Sequence, residues 1–451
     1  MRNEEDMNKG IISELESTVK ENSCGIIMRI DGQLNLYYIE SIVRKDFVLD
    51  NIKKPYFNKQ MDFDKYLNEI SNEVSDRDVI SEINRGSIII TYKNDIRIIK
   101  GAELEENRGV TENTKETSIE GGAQGFSENI IVNENLLRMY YGNSNLIIKE
   151  YSVGTAVNNR CSIIYDKTKV NKETLEYIET GIKAIKAPVI QAANELQQEL
   201  IKGKSIIPRM LVTARPDRTI RSIAKGKVAV ILNTTPSVLI ATATFHEFMT
   251  AVDDYYIFPI PALILIIFRY LGLFITTLLP GIYVAITSYN PEFFRIQLAL
   301  TITESRTGVS YPSFFEVLFM LVMMEFLVEA STRLPKTIGQ AATTVGGLIL
   351  GQAATQAHLV SDIMIIVIAA VAISNFMIPI QVMGLSIRSI KYIILFMASI
   401  SGLYGIYIGL LALTTYLFSI NSINTPYLNP VGAFTKKNIK IFFRREQSNE
   451  K

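Results

Sequence analysis

The chain has 451 residues, 46 of them basic and 45 acidic, for a formal net charge of +1, so bulk charge gives no argument for nucleic-acid binding. Mean hydropathy is positive, at +0.19, although 20% of the residues are charged. Only 13 charged side chains fall within residues 259–434; charge and apolar bulk are therefore segregated, which excludes one large globule and points to a soluble region joined to a membrane domain.

Residues 1–22 are polar and read as a flexible N-terminal tail or a helix. Short β-type runs follow, 24–30 and 35–39, hinged at Asp31-Gly32, a dipeptide that favours a hairpin between apolar runs. Residues 65–83 have helical spacing, and 86–92 with 95–99 form a second candidate strand pair. Subdomain 1 thus spans 23–102. The stretch 103–124 is polar and glycine-bearing, a candidate linker. In subdomain 2, taken as 125–255, strands are expected at 146–153 and 160–166 and an amphipathic helix at 171–186, where Leu175, Ile178, Ile182 and Ile185 recur at helical spacing. A short helix at 216–224 and a strand pair around Asn233-Thr-Thr-Pro236 complete it. The fold class is therefore α+β, two small α/β subdomains, followed by an all-α multi-pass transmembrane domain at 256–434 and a basic tail at 435–451.

Little in the soluble half signals catalysis. Two cysteines, Cys24 and Cys161, and two histidines, His246 and His358, are too few for a disulfide framework or a His- or Cys-rich metal centre. Gly121-Gly-Ala-Gln-Gly125 lacks the Lys and Ser/Thr of a phosphate loop and reads as a turn. His246 beside Glu247 has no nucleophile at a matching spacing and reads as a surface or interface residue. No cofactor, metal or enzymatic reaction is expected. The start, Met1-Arg-Asn-Glu-Glu-Asp6, lacks the apolar core of a secretory signal, so the soluble part is expected to remain in the reducing cytosol unless an internal span carries it across.

Five stretches are long and apolar enough to read as spans: 259–288, 313–332, 337–361, 363–387 and 392–435, with a short amphipathic stretch at 293–307 as a doubtful sixth. Basic residues cluster at Arg333/Lys336, at Arg388/Lys391 and in the tail. Neither five nor six crossings puts every cluster on the cytosolic side, as the positive-inside rule asks. Two polar faces stand out. Glu325, Glu329 and Arg333 repeat every four residues and form an intramembrane stripe that can pair internally. Gln340, Thr344, Gly347, Gly351, Thr355 and His358 share one face of an otherwise uncharged helix. That face reads either as a close helix–helix contact or as the lining of a water-filled ion path. Pro280-Gly281 and Pro379 are breakers inside predicted spans.

Several motifs in fixed order resemble one family. They are Arg215-Pro-Asp-Arg218, Asp253-Asp-Tyr-Tyr256, Asn290-Pro-Glu292, Arg306-Thr-Gly-Val-Ser-Tyr-Pro312, Glu325-Phe-Leu-Val-Glu-Ala-Ser-Thr-Arg-Leu-Pro335, Ile338-Gly-Gln-Ala341, Gly351-Gln-Ala-Ala354 and Pro426-Tyr-Leu-Asn-Pro430. Together they resemble the GerA family, the A subunits of spore germinant receptors, over about residues 27–434. The resemblance implies a multi-pass protein of the spore inner membrane that senses nutrients with a transporter-like B subunit and a lipoprotein C subunit. It also implies a homo-oligomer, with a pentamer as the family's proposed form, acting as a nutrient-gated ion channel; the polar face of 340–355 is then a pore-lining candidate. Membrane lipid is the remaining implied partner, and nucleic acid is not one. The family's Gly-Pro-Arg-Glu-Gly/Ala-Phe motif departs here to Gly121-Gly-Ala-Gln-Gly-Phe126, without the Pro and Arg. A secondary transporter and a non-conducting scaffold subunit are the competing readings. The transporter should show inverted repeats with matching broken helices.

Overall fold

The computed structural model describes residues 2–58, 62–73, 79–84, 86–93, 95–102, 116, 121–122, 124–143, 145–201, 205–293, 295–423 and 425–428. The chain divides into two compact units. Unit 1 comprises Met1–Lys204, Arg209–Ala243 and Ser422–Thr425; unit 2 comprises Ser205–Pro208, Thr244–Asn421 and Pro426–Lys451.

Unit 1 holds two five-stranded sheets. In chain order the first part contains α1 (Arg2–Glu21), β1 (Gly25–Ile30), β2 (Leu34–Ile39), α2 (Lys45–Val48), α3 (Lys54–Phe57), α4 (Phe63–Ile70), β3 (Asn72–Glu73), α5 (Val79–Asn84), β4 (Ile88–Tyr92) and β5 (Asp95–Ile99). Its strands pair antiparallel in the order β1-β2-β4-β5-β3. The predicted hairpin turn holds: Asp31 and Gly32 both take positive φ, 50° and 67°, the conformation for which Asp and Gly are the cheapest residues. Period-two alternation then sorts the strands. Leu36, Tyr38, Ile88 and Ile90 pack with Ile52, Phe63 and Leu67 on one face, while Tyr37, Ile39, Ile89 and Ile98 pack with Leu15, Val19 and Ile83 on the other. Leu15 and Val19 are fully buried, so residues 2–21 are a docked helix and not a flexible tail. The helix expected over 65–83 is broken: α4 ends at Ile70, β3 follows, and α5 starts at Val79.

The second part repeats this plan. It contains α6 (Ile130–Tyr141), β6 (Leu146–Val153), β7 (Asn159–Asp166), α7 (Lys172–Ala184), α8 (Ala193–Leu200), β8 (Leu211–Thr213), α9 (Pro216–Ala224), β9 (Val228–Leu232) and β10 (Val238–Ala241). The strand order, β6-β7-β9-β10-β8, is that of the first sheet shifted by five, again antiparallel throughout. Helix, two strands, helices, strand, helix, two strands thus occurs twice. The predicted linker between them falls almost entirely outside the described residues. Local capping sets the helix starts. The Asn129 side chain accepts from Ile131 N at 3.0 Å, Asn171 accepts from Glu173 N at 3.0 Å, and Gly142 at φ 60° ends α6. Ile163, Val230 and Leu239 pack under Ile178, Ile182 and Leu196. Ile163→Val there is expected to cost about 0.5–1.5 kcal/mol in denaturant unfolding, as one methyl group leaves a packed site; Ile163 is fully buried.

Unit 2 is helical: α10 (Phe245–Met249), α11 (Pro259–Ser288), α12 (Ile296–Ser305), α13 (Ser313–Thr332), α14 (Lys336–Gln356), α15 (Asp362–Phe376) and α16 (Gln381–Ser419). Its core joins Tyr283 and Val284 of α11, Val317 and Leu321 of α13, Met364 and Val371 of α15, and Leu395 of α16. Among the described residues, α11 and α16 are long and apolar enough to cross a membrane, and α15 is a shorter apolar helix. Five spans were expected. α13 and α14 form where expected but fall outside that class because α13 carries Glu316, Glu325 and Glu329 and α14 is diluted by Thr, Gln and Gly. The breakers also behave differently from expectation. Pro280 sits inside a continuous α11, whereas Pro379 lies in the gap between α15 and α16 and splits the stretch read as one span over 363–387. α16 itself breaks at Gly402 (φ 60°, ψ −134°). A Cβ built on Gly405 would fall 1.9 Å from Met397 O, and one on Gly409 3.6 Å from Ile394 Cγ1, so the chain turns back on itself as a helical hairpin.

Candidate functional site

The acidic stripe of α13 is split by its surroundings. Glu329 and Arg333 pair at 2.7 Å in an exposed i,i+4 bridge, which contributes little by itself. Glu325, one turn earlier, takes its partners from α16: Arg388 Nη1 at 3.0 Å from Oε2 and Lys391 Nζ at 3.2 Å from Oε1. Lys391 is 1% exposed. These two cations, read from sequence as a basic loop, lie inside a helix. Pro379 has no N–H to continue α15, so the next helix starts at Gln381 and carries positions 388 and 391 onto one face of its second and third turns. The expected single stripe of Glu325, Glu329 and Arg333 is therefore two separate ion-pair sites.

A third acid has a deeper setting. Glu316, in the first turn of α13, is 1% exposed. Its Oε1 accepts from Ser361 N and from Ser361 Oγ, each at 2.7 Å, and its Oε2 lies 3.5 Å from Arg306 Nε. Ser361 is the N-cap of α15; its hydroxyl also accepts from Met364 N at 3.3 Å and lies 3.1 Å from the Tyr283 hydroxyl. A carboxylate is thus seated at the positive end of α15, where the free N–H groups favour negative charge. The sequence places Glu316 inside the span read at 313–332 but does not name these partners. The available signal was Ser361-Asp362 before an apolar run, an N-cap pattern.

Arg269, the only charge in α11, is compensated as well. It donates to both oxygens of Asp254, at 2.5 and 2.9 Å, and to Met249 O at 3.3 Å. Asp254 is 7% exposed, so the Asp253-Asp-Tyr-Tyr256 motif supplies the counter-ion. His246 stacks on Tyr270 with rings 8° from parallel, and its Nδ1 lies 3.0 Å from the Tyr270 hydroxyl.

The polar face of α14 has the opposite character. α14 packs on α13 through a different face: a Cβ on Gly339 would meet Ser331 O at 2.7 Å, and one on Gly346 would meet Leu327 Cδ1 at 3.1 Å. Gly347 and Gly351 have nothing within 4 Å of a built Cβ. Thr344 is exposed and Thr355 half-buried. The Gln340 side chain lies outside the described residues. His358, just past the helix end, takes φ 52° and lies against Gly308, with Nδ1 3.6 Å from a Cβ built there. Thr344, Gly347, Gly351 and Thr355 therefore share a face that the packing on α13 does not use.

The sequence model of the Bacillus/Clostridium GerA spore germination protein family matches residues 6–451. The chain is a member of the GerA family. It is 30% identical over 427 residues to spore germination protein KA of Bacillus subtilis (strain 168), covering 94% of this chain and 75% of that protein. It is 33% identical over 367 residues to spore germination protein A1 of the same organism, covering 81% and 76%. Among solved structures, it matches the N-terminal domain of the A subunit of the Bacillus megaterium spore germinant receptor GerK3 with a TM-score of 0.39 and 18% identity, over 52% of this chain and 94% of that one.

In this GerA chain the loop that lacks the Pro and Arg of its family motif is held by other means. Arg215, 2% exposed, donates from Nη2 to Gly122 O at 3.2 Å and from Nε and Nη2 to Asp217 at 3.1 and 2.8 Å. Phe126 is buried, and its N–H donates to Ala214 O at 3.1 Å. Arg215, the first residue of Arg215-Pro-Asp-Arg218, and the neighbouring Ala214 thus anchor the altered stretch. Sequence reading recognised both segments without linking them.

Proposed function

We propose that the chain is the A subunit of a germinant receptor in the spore inner membrane, where it converts nutrient sensing into ion release as an oligomeric, nutrient-gated channel. On this reading the α/β module, residues 23–255, is cytosolic and unit 2 is multi-pass, with both halves of the α16 hairpin counted separately. The transporter-like B subunit and the lipoprotein C subunit are its partners, and several copies of the chain, five in the family's proposed form, surround the pore.

The observation that carries the proposal is the face of α14. Thr344, Gly347, Gly351 and Thr355 are small or polar, and among the described residues nothing lies within 4 Å of a Cβ built on either glycine. A polar stripe at membrane depth needs protein or water against it. The large exposed apolar residues of α11 and α14, among them Ile260, Phe268, Phe274, Leu348 and Ile349, are suited to lipid. The remaining α14 face is then left to neighbouring copies and to the ion path they enclose.

Gly347→Leu tests this. A Cβ at this position has open space among the described residues, so folding and assembly should be unchanged, while a side chain projecting into a pore should cut ion flux in reconstituted complexes. A barrier rise of about 1.4 kcal/mol is enough for a tenfold loss. Wild-type flux from normally assembled complexes would overturn the pore assignment and favour a scaffold role.

A further inference from the structure

A cluster unused by that function lies in unit 1, where the segment before β1 meets the second sheet. Asn22 and Ser23 run alongside β6: Ser23 N donates to Ile148 O at 3.2 Å, and Glu150 N donates to Ser23 Oγ at 2.8 Å. The next residue is Cys24, whose Sγ lies 2.7 Å from Glu150 Oε1. Glu150 is paired across β6 and β7 with Ser162, so the two side chains share the sheet face that α6 covers. From α6, Glu134 reaches this face and accepts from Ser162 Oγ at 2.5 Å through Oε1. Glu134 is fully buried, and its second oxygen has no hydrogen-bond partner among the described residues. One ligand atom from each of Cys24, Glu134 and Glu150 lies within 4.8 Å of the other two.

A buried carboxylate oxygen without a partner is costly. A second carboxylate and a thiol converge on the same place, and the buried guanidinium nearest them, Arg138, makes no hydrogen bond to any of the three among the described residues. Arg160 occupies only the far oxygen of Glu150, at 3.0 Å from Oε2. Arg138, buried beside Glu134 on α6, donates to Asn22 Oδ1 at 3.3 Å, and its Nε and Nη2 are without hydrogen-bond partners.

We propose that Cys24, Glu134 and Glu150 form a binding site for a divalent cation of the zinc class, with water completing the shell. One sulfur and two carboxylate oxygens are a donor set zinc accepts at bonds of about 2.0–2.3 Å, and the sulfur disfavours magnesium and calcium. On binding, the Cys24 S–H bond breaks, its proton leaves to solvent, and a metal–thiolate bond forms; nothing is oxidised or reduced. Because the thiol must lose its proton to bind, affinity should fall as pH falls. The charged groups around the thiol are Glu134 and Arg138 from α6 and Glu150 from β6, with Arg160 from β7 on the far oxygen of Glu150. The ion would tie the segment leading into the first sheet to the helix and strand that open the second, acting as a clamp between the repeats.

The full chain, tag-free in detergent and stripped of metal, should take up one zinc per molecule with a rise in its thermal midpoint. Cobalt in its place should give a thiolate-to-metal charge-transfer band. Cys24→Ser should abolish that band, and both it and Glu134→Gln should weaken zinc binding by at least the roughly 10–100-fold that even outer-sphere changes cost. Cys161→Ala should keep the band. If Cys24→Ser does not fold, the band retained in Cys161→Ala still assigns the sulfur, since the chain has two cysteines. No uptake by the wild-type chain, wild-type affinity in a folded Cys24→Ser or Glu134→Gln, or loss of the band in folded Cys161→Ala would overturn the site.

Discussion

Glu325→Ala is expected to destabilise the helical unit by about 3–5 kcal/mol, the cost of stranding a buried charge. Lys391 is 1% exposed and, among the described residues, pairs with one carboxylate, that of Glu325 at 3.2 Å, with the Tyr392 ring 4.9 Å away as a weaker neighbour. Removing the acid leaves that buried ammonium without its carboxylate partner. Thermal unfolding in detergent, followed by circular dichroism, reads the loss. The double variant Glu325→Leu with Lys391→Met should recover most of it, because a buried ion pair replaced by apolar groups of similar volume is often close to neutral. Arg388, 23% exposed, can move its head outward when the acid is gone. A double variant as unstable as the single one would show that the loss comes from packing and not from the unpaired charge. Glu329→Ala serves as the contrast: its pair with Arg333 is exposed on both sides, so the expected change stays below about 1 kcal/mol.

Gly402→Val should disrupt the α16 hairpin. At φ 60° and ψ −134° the residue occupies a region that side chains avoid. A positive φ costs a non-glycine residue roughly 1–2 kcal/mol. A Cβ there would also lie 2.9 Å from the Tyr289 ring, and crowding of that kind adds about 1–3 kcal/mol. Tyr289 cannot easily yield, since its hydroxyl donates to Ser399 O at 2.5 Å and Ile400 O at 3.2 Å, carbonyls left open where the first half of α16 ends. The variant should melt well below wild type. Gly384→Ala, on the same helix with nothing within 4 Å of a built Cβ, should not. Equal melting of the two would mean that the hairpin turn tolerates a side chain.

Local chemistry was legible in the chain. The strand pairs 24–30 with 35–39, 86–92 with 95–99, 146–153 with 160–166, and the pair around Asn233-Thr-Thr-Pro236 are the hairpins β1/β2, β4/β5, β6/β7 and β9/β10. Each needs only a turn and two apolar runs. The two-residue β3, the three-residue β8 and the helix α6 were not legible: the strands are too short to carry a period, and α6 is almost wholly buried along Ile130–Arg138, without a contrasting polar face. The repeated strand order was invisible for another reason. It depends on β2 finding β4 and β7 finding β9 across long insertions, and pairings of that length leave no spacing signal.

The same division runs through the candidate sites. Sequence alone determined that charge is withheld from 259–434, that Thr344, Gly347, Gly351 and Thr355 lie on one helical face, and that Glu325, Glu329 and Arg333 lie on another, because helical pitch is a property of each residue and its near neighbours. Tertiary structure decided what those faces meet. It gave Glu325 to Arg388 and Lys391, Glu316 to the start of α15, Arg269 to Asp254, and left Gly347 and Gly351 without a close neighbour among the described residues. It also brought Cys24, Glu134 and Glu150 to one point from three distant positions. Steric rules act over a few bonds and can be read along the chain, whereas a charge takes the partner that the folded backbone brings near it.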